Sequence, residues 1–173
     1  MRIIPLTVSL LTPLLMLVCS QYAFAENIQT CSTPQHHAFD FWIGDWQVHT
    51  PDGKLVGHNH ITREYGTCVI HEHYKTERGY SGESLNIYDA TRKVWHQTWV
   101  DSDGTLLVLE GRPENGGMQM SGKLIDNKGK SSKQRITWTR NVDGSVRQLW
   151  EAADDKGSWS VVFDGKYTSQ TRK

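Results

Sequence analysis

Two short runs carry four imidazoles at a spacing suited to metal. His58-Asn59-His60 and His71-Glu72-His73 each set two histidines two residues apart, on one face if the run is a β-strand. Joined as a hairpin through a two-residue loop at Tyr65-Gly66 or Gly66-Thr67, paired positions sum to an odd number. His58, His60, His71 and His73 then share a face that could bind zinc or copper. A three-residue loop makes the sum even and sets His60 opposite Glu72, and the sequence does not choose between these registers. The plain alternative is a solvated hairpin face on which histidine is tolerated.

The other parity of the same runs has a different chemistry. Asn59, Ile61, Cys68, Ile70, Glu72 and Tyr74 form a mostly apolar face with a few polar heads, the pattern of a ligand-binding wall. A later run puts Trp95, Gln97, Trp99 and Asp101 on one parity, and another puts Gln148 and Trp150 opposite Arg147, Leu149 and Glu151. A buried glutamate needs a partner, and Arg147 could serve Glu72 only if its own parity faces inward. The expected pocket lining is Glu72, Tyr74, Tyr88, Gln97, Trp99, Trp138 and Trp150. The aromatics would supply contact area, with Glu72 and Gln97 fixing orientation. Otherwise the tryptophans fill a packed core. Within such a pocket, Glu72 or Asp101 could have a raised pKa and act as a general base.

Other catalytic signatures are missing. Gly79-Tyr80-Ser81-Gly82-Glu83 departs from G-x-S-x-G at its last position and lies between strands. His71-Glu72-His73 is not H-E-x-x-H, whose spacing presupposes a helix. The sequence has no phosphate-binding loop, dinucleotide fingerprint or C-x-x-C pair.

These residues need a scaffold, and the turn pairs outline it. Asp52-Gly53, Asp103-Gly104, Gly116-Gly117, Lys128-Gly129, Asp143-Gly144 and Lys156-Gly157 punctuate short strand-like runs, the signature of an antiparallel meander. Ten strands are predicted, at 43–50, 54–65, 67–76, 82–89, 94–101, 105–112, 117–125, 132–141, 145–151 and 158–168. Met118, Met120 and Leu124 share a face, as do Ile136 and Trp138, and as do Trp159, Val161 and Phe163. Thr33-Pro34 reads as a hydroxyl N-cap and N1 proline, starting a short helix that runs to about Phe41 and plugs one barrel end. The fold class is all-β, an up-and-down barrel of about ten strands, wide enough to leave a cavity.

The ends and the composition set the context. Arg2, the apolar stretch from Leu6 to Val18 and Ala23-Phe24-Ala25 read as a signal peptide over residues 1–25. Pro13 interrupts that stretch, which is short for a membrane span. Residues 26–173 then form one domain of 148 residues with 18 Lys plus Arg against 19 Asp plus Glu. This near-neutral chain has no basic patch for nucleic acid or an anionic membrane. Cys31 and Cys68 remain, with 36 residues between them. In the oxidising periplasm or outside the cell, such a pair is most simply a disulfide, and two separate thiols are the alternative.

Gly44-Asp45-Trp46 resembles the G-x-W box of calycin barrels, the group that includes lipocalins and fatty-acid-binding proteins. In that group the tryptophan closes one barrel end beneath a basic residue, a part for Lys166 or Arg172 here. The wider opening box, Phe39-Asp40-Phe41-Trp42-Ile43-Gly44-Asp45-Trp46, is similar to that of a bacterial family of calycin-like domains. Similar segments are Ser84 to Asp89, Trp95 to Asp101, Asp143 to Glu151 and Phe163-Asp164-Gly165. The resemblance implies a barrel that holds a small hydrophobic or amphipathic molecule, and no particular activity. Haem barrels of similar build take their histidine from the C-terminal strands, whereas this chain has none after His96. The expectation is an exported small-molecule binder without a cofactor, monomeric or homodimeric. The alternatives are an enzyme using a pocket carboxylate and a metal-binding hairpin.

Overall fold

Five of the hairpin connections use one device. The N–H of Thr50, Thr76, Asp126, Asn141 and Asp154 bonds the carbonyl four residues on, while its carbonyl accepts the N–H of a glycine three residues on. Those glycines have φ between 77° and 88°, a left-handed conformation open to a residue without Cβ. A turn that ends in a left-handed residue also fixes the register of its two strands.

The computed structural model describes residues 30–170; the predicted signal peptide and Arg172 lie outside them. The strands are β1 (Gly44–His49), β2 (Leu55–Glu64), β3 (Val69–Lys75), β4 (Ser81–Asp89), β5 (Val94–Asp101), β6 (Leu106–Glu114), β7 (Gly117–Ile125), β8 (Ser131–Arg140), β9 (Val146–Ala153) and β10 (Trp159–Ser169). Each pairs antiparallel with its chain neighbours, and β10 closes on β1. The result is the up-and-down barrel expected, with strand ends within two residues of the predicted ones.

The plug is two 3₁₀ turns, Pro34–His37 and Asp40–Trp42, rather than one helix. The Thr33 hydroxyl caps no backbone N–H; it meets His36 Nδ1 at 2.7 Å. The plug is held by rings. Phe39 stacks on Trp42 with centroids 4.9 Å apart and meets Trp95 and Trp138 edge-on at 5.6 and 5.1 Å. Trp46 Nε1 donates to the Trp42 carbonyl at 2.9 Å, and Trp95 Nε1 to that of Gln35 at 3.1 Å. Arg63 bonds Asp40 and the Thr67 carbonyl. The Cys31–Cys68 disulfide is formed; Cys68 lies in the β2–β3 turn, ahead of the third strand.

The opening box has a steric basis. A Cβ at Gly44 would come within 3.2 Å of the Trp46 indole, so the ring lies over the glycine. Lys166 does not cover that ring. It faces outward and reaches Asp143 at 3.0 Å.

Alternation holds along most strands, and the register shifts at two places, between Val48 and His49 on β1 and between Val161 and Phe163 on β10. Val161 pairs with Glu151, yet Phe163 pairs with Trp150, a bulge that leaves Val162 extra. Trp159 and Val161 therefore face out while Phe163 turns in, so the predicted common face of the three does not form. On β9 Gln148 and Trp150 face the interior, and Arg147 projects outward to Asp164 at 2.7 and 2.8 Å.

Candidate functional site

The strands enclose a cavity of about 250 Å³ in the half of the barrel away from the plug. Its wall is largely aromatic: Tyr74, Tyr80, Trp99, Trp150, Phe163 and Tyr167, with Glu72, Gln97 and Gln148 among them. The antiparallel order explains the place. Trp95 lies near the start of β5, by the plug, and Trp99 four residues on faces the cavity from the same parity.

Glu72 is 3% exposed and anchors a polar chain across four strands, β2 to β5. Asn59 Nδ2 donates to its Oε1 at 2.7 Å, and Ser84 Oγ to its Oε2 at 2.6 Å. Ser84 Oγ accepts from Asn86 Nδ2 at 2.9 Å, and Asn86 Oδ1 from Gln97 Nε2 at 2.8 Å. Register makes this possible, because Glu72 pairs with Ser84 and Asn86 with Gln97. Burial raises the Glu72 pKa to about 7, against the lowering effect of the bonds from Ser84 and Asn59 and of nearby His71. Burial, then the Glu72 charge, also holds the phenols of Tyr74 and Tyr167 above their usual range.

Asp101 behaves oppositely to the base expected. Burial pushes its pKa up, but bonds from the Thr105 N–H, the Trp99 indole and the Tyr80 hydroxyl outweigh it and leave it lowered. The Trp99 and Tyr80 bonds measure 3.1 and 3.0 Å. Tyr80 in turn is raised, by burial first and then by this bond. Across the cavity, Trp150 Nε1 donates to Gln134 Oε1 at 2.7 Å, and Tyr167 Oη to Gln148 Oε1.

Of the residues singled out from sequence, the cavity gathers Glu72, Tyr74, Gln97, Trp99 and Trp150. Tyr88 and Trp138 do not line it. Tyr88 meets His36 at 5.0 Å and Trp138 lies 5.3 Å from Trp42, because both stand at the plug ends of their strands. Tyr80, Phe163 and Tyr167 escaped the sequence reading. Tyr80 closes a turn, the Val162 bulge hides the parity of Phe163, and Tyr167 had no pattern to mark it.

The histidines occupy the outer face. Positions on β2 and β3 pair so that His60 opposes His73 and Thr62 opposes His71, and the four rings share one face, as the odd sum requires. They do not converge as a set of four. His58 lies 3.5 Å from Glu77 and His60 2.5 Å from Asp45. His71 and His73 are neighbours, with ring centroids 3.9 Å apart and Glu83 at 3.0 and 3.3 Å. The donor atoms that gather belong to Glu64, His71 and His73, all within 4.8 Å of one another.

No protein-family model matches this chain, and no curated protein matches it. The closed ten-stranded barrel is consistent with a calycin-like fold.

Proposed function

We propose that this chain is an exported calycin-like barrel that binds a small amphipathic molecule in its interior cavity. The observation that carries the reading is the cavity itself: an aromatic wall, open space and one buried carboxyl with its hydrogen bonds satisfied. Export is supported by the sequence of residues 1–25 and by the disulfide. Among the described residues no helix is long and apolar enough to cross a membrane. The outer barrel face carries ion pairs such as Arg135–Glu151 and Arg147–Asp164, unlike the apolar band of a lipid-facing barrel.

Native mass spectrometry of the untagged protein from its own host is expected to reveal a co-purified organic mass. Binding of a hydrophobic fluorescent probe should weaken in both Trp99→Ala and Trp150→Ala. Unchanged binding in both would remove the cavity from consideration. Turnover of the captured molecule, lost in Glu72→Gln with affinity retained, would make the protein an enzyme instead of a carrier.

A second reading has its own observation. His71 Nδ1 is buried without a hydrogen-bond partner and lies 3.4 Å from Glu64 Oε2. Glu64, His71 and His73 would suit a zinc or copper ion. Dialysis against zinc should then leave one equivalent bound, lost in His71→Ala and in His73→Ala but retained in Glu72→Gln. Sub-stoichiometric zinc in the unaltered protein would end this reading.

A further inference from the structure

The cavity has one sign of charge. Among the described residues Glu72 is its only carboxylate, and no lysine, arginine or histidine lines it. The residue that sequence offered as a counter-ion, Arg147, points to solvent and Asp164. Arg63, at the plug end, is occupied by Asp40 and backbone carbonyls. Meanwhile the hydrogen bonds around Glu72 are arranged for its charged form. Both oxygens accept, and Ser84, whose oxygen accepts from Asn86 at 2.9 Å and from Gln97 at 3.4 Å, donates its hydroxyl proton to Glu72. A buried carboxylate so prepared, with His71 on the outer face and no cation on the cavity side, has room for a counter-charge inside the barrel.

The aromatic wall points the same way. Four ring donors that would solvate an anionic head are already used inside the protein. Tyr80 Oη and Trp99 Nε1 serve Asp101, Trp150 Nε1 serves Gln134 and Tyr167 Oη serves Gln148. Rings held by their polar edges leave their faces for the guest, and those faces carry negative potential that attracts cations. The Asp101 carboxylate behind Tyr80 and Trp99 adds to that potential. A fatty acid would meet a like charge with these donors spent.

We infer that the cavity selects an amphipathic organic cation, an amine or quaternary ammonium whose head lies against Glu72 and whose apolar body lies among the rings. This rests on the cavity being the binding site.

Octylamine, octanol and octanoate share a tail and differ in the head. Titrated at about pH 8, where an alkylamine is protonated, they should bind in the order amine, alcohol, acid, read from tryptophan fluorescence or calorimetry. The amine is expected to exceed the alcohol by about tenfold, roughly 1.4 kcal/mol. Glu72→Gln should bring amine and alcohol together, by weakening the amine. Octanoate binding as tightly as octylamine would overturn the cation inference and leave the cavity reading standing. Binding of none of the three would remove both. The comparison within the unaltered protein decides the matter even if the variant does not fold.

Discussion

The barrel uses tryptophan in two ways, one at each end. At the plug, Trp42, Trp95 and Trp138 are at most 1% exposed and packed ring against ring around Phe39. The Nε1 atoms of Trp42 and Trp138 have no hydrogen-bond partner there, so packing alone fixes those rings. At the cavity, Trp99 and Trp150 are only partly buried, and each is pinned by its N–H, to Asp101 and to Gln134. A ring held at its polar edge can keep its orientation without neighbours on both faces. That is how one residue type can close one end of the barrel and line an open space at the other.

Truncation tests the contrast most severely. Trp138→Ala should cost about 3–5 kcal/mol, the usual loss for a fully packed tryptophan, measured by denaturant unfolding. Trp99→Ala and Trp150→Ala should each cost about 1–2 kcal/mol, since part of their surface already faces space. Equal losses at the two ends would mean that the cavity rings are packing residues after all. The disulfide sharpens the same point. Replacing Cys31 and Cys68 by serine opens a loop of separation 37 and should cost about 4 kcal/mol in the chain-entropy model. Because it ties down the plug end, probe binding at the cavity end should survive in the fraction that remains folded.

Glu72 marks the opposite bias, a group that weakens the fold where the cavity is. Its pKa rises from 4.5 to about 7 on folding. Between those values the folded chain keeps a proton that the unfolded chain has released, so stability falls as pH rises through that window. The full difference above pH 7 is about 3 kcal/mol. Glu72→Gln should therefore be more stable than the unaltered protein at about pH 8 and similar to it near pH 4. A variant no more stable at high pH would show that Glu72 is not held against its charge.

How much of this was legible follows from the kind of signal each feature leaves. Turn glycines are local, so Gly53, Gly129, Gly144 and Gly157 located the strand ends and the meander without any tertiary information. The parity of Glu72, Gln97 and Trp99 was legible too, because a strand's inner face repeats every second residue. Position along the barrel axis was not. Tyr88 and Trp138 have inward parity, and only the antiparallel order assigns them to the plug. A bulge leaves no composition mark, which is why Phe163 was grouped with the outward Trp159 and Val161. The shared histidine face waited on the register, which the sequence left open between odd and even sums and the structure sets as odd, and the convergence of Glu64 on His71 depends on side-chain reach that parity does not encode.

The smallest expected effect concerns the residue that parity had kept open as the partner of Glu72. Arg147 forks onto Asp164 outside the barrel, about half exposed, and such a pair contributes at most about 1 kcal/mol. Arg147→Ala should shift the unfolding midpoint only slightly, less at high salt than at low salt. It should leave the pH dependence assigned to Glu72 unchanged, because Arg147 projects outward from β9 while Glu72 faces the cavity from β3. A variant that moved that titration, or altered the preference for amine over alcohol, would mean that the outer face supplies charge to the cavity. The contrast between a packed end and an unpaired acidic end would then no longer hold.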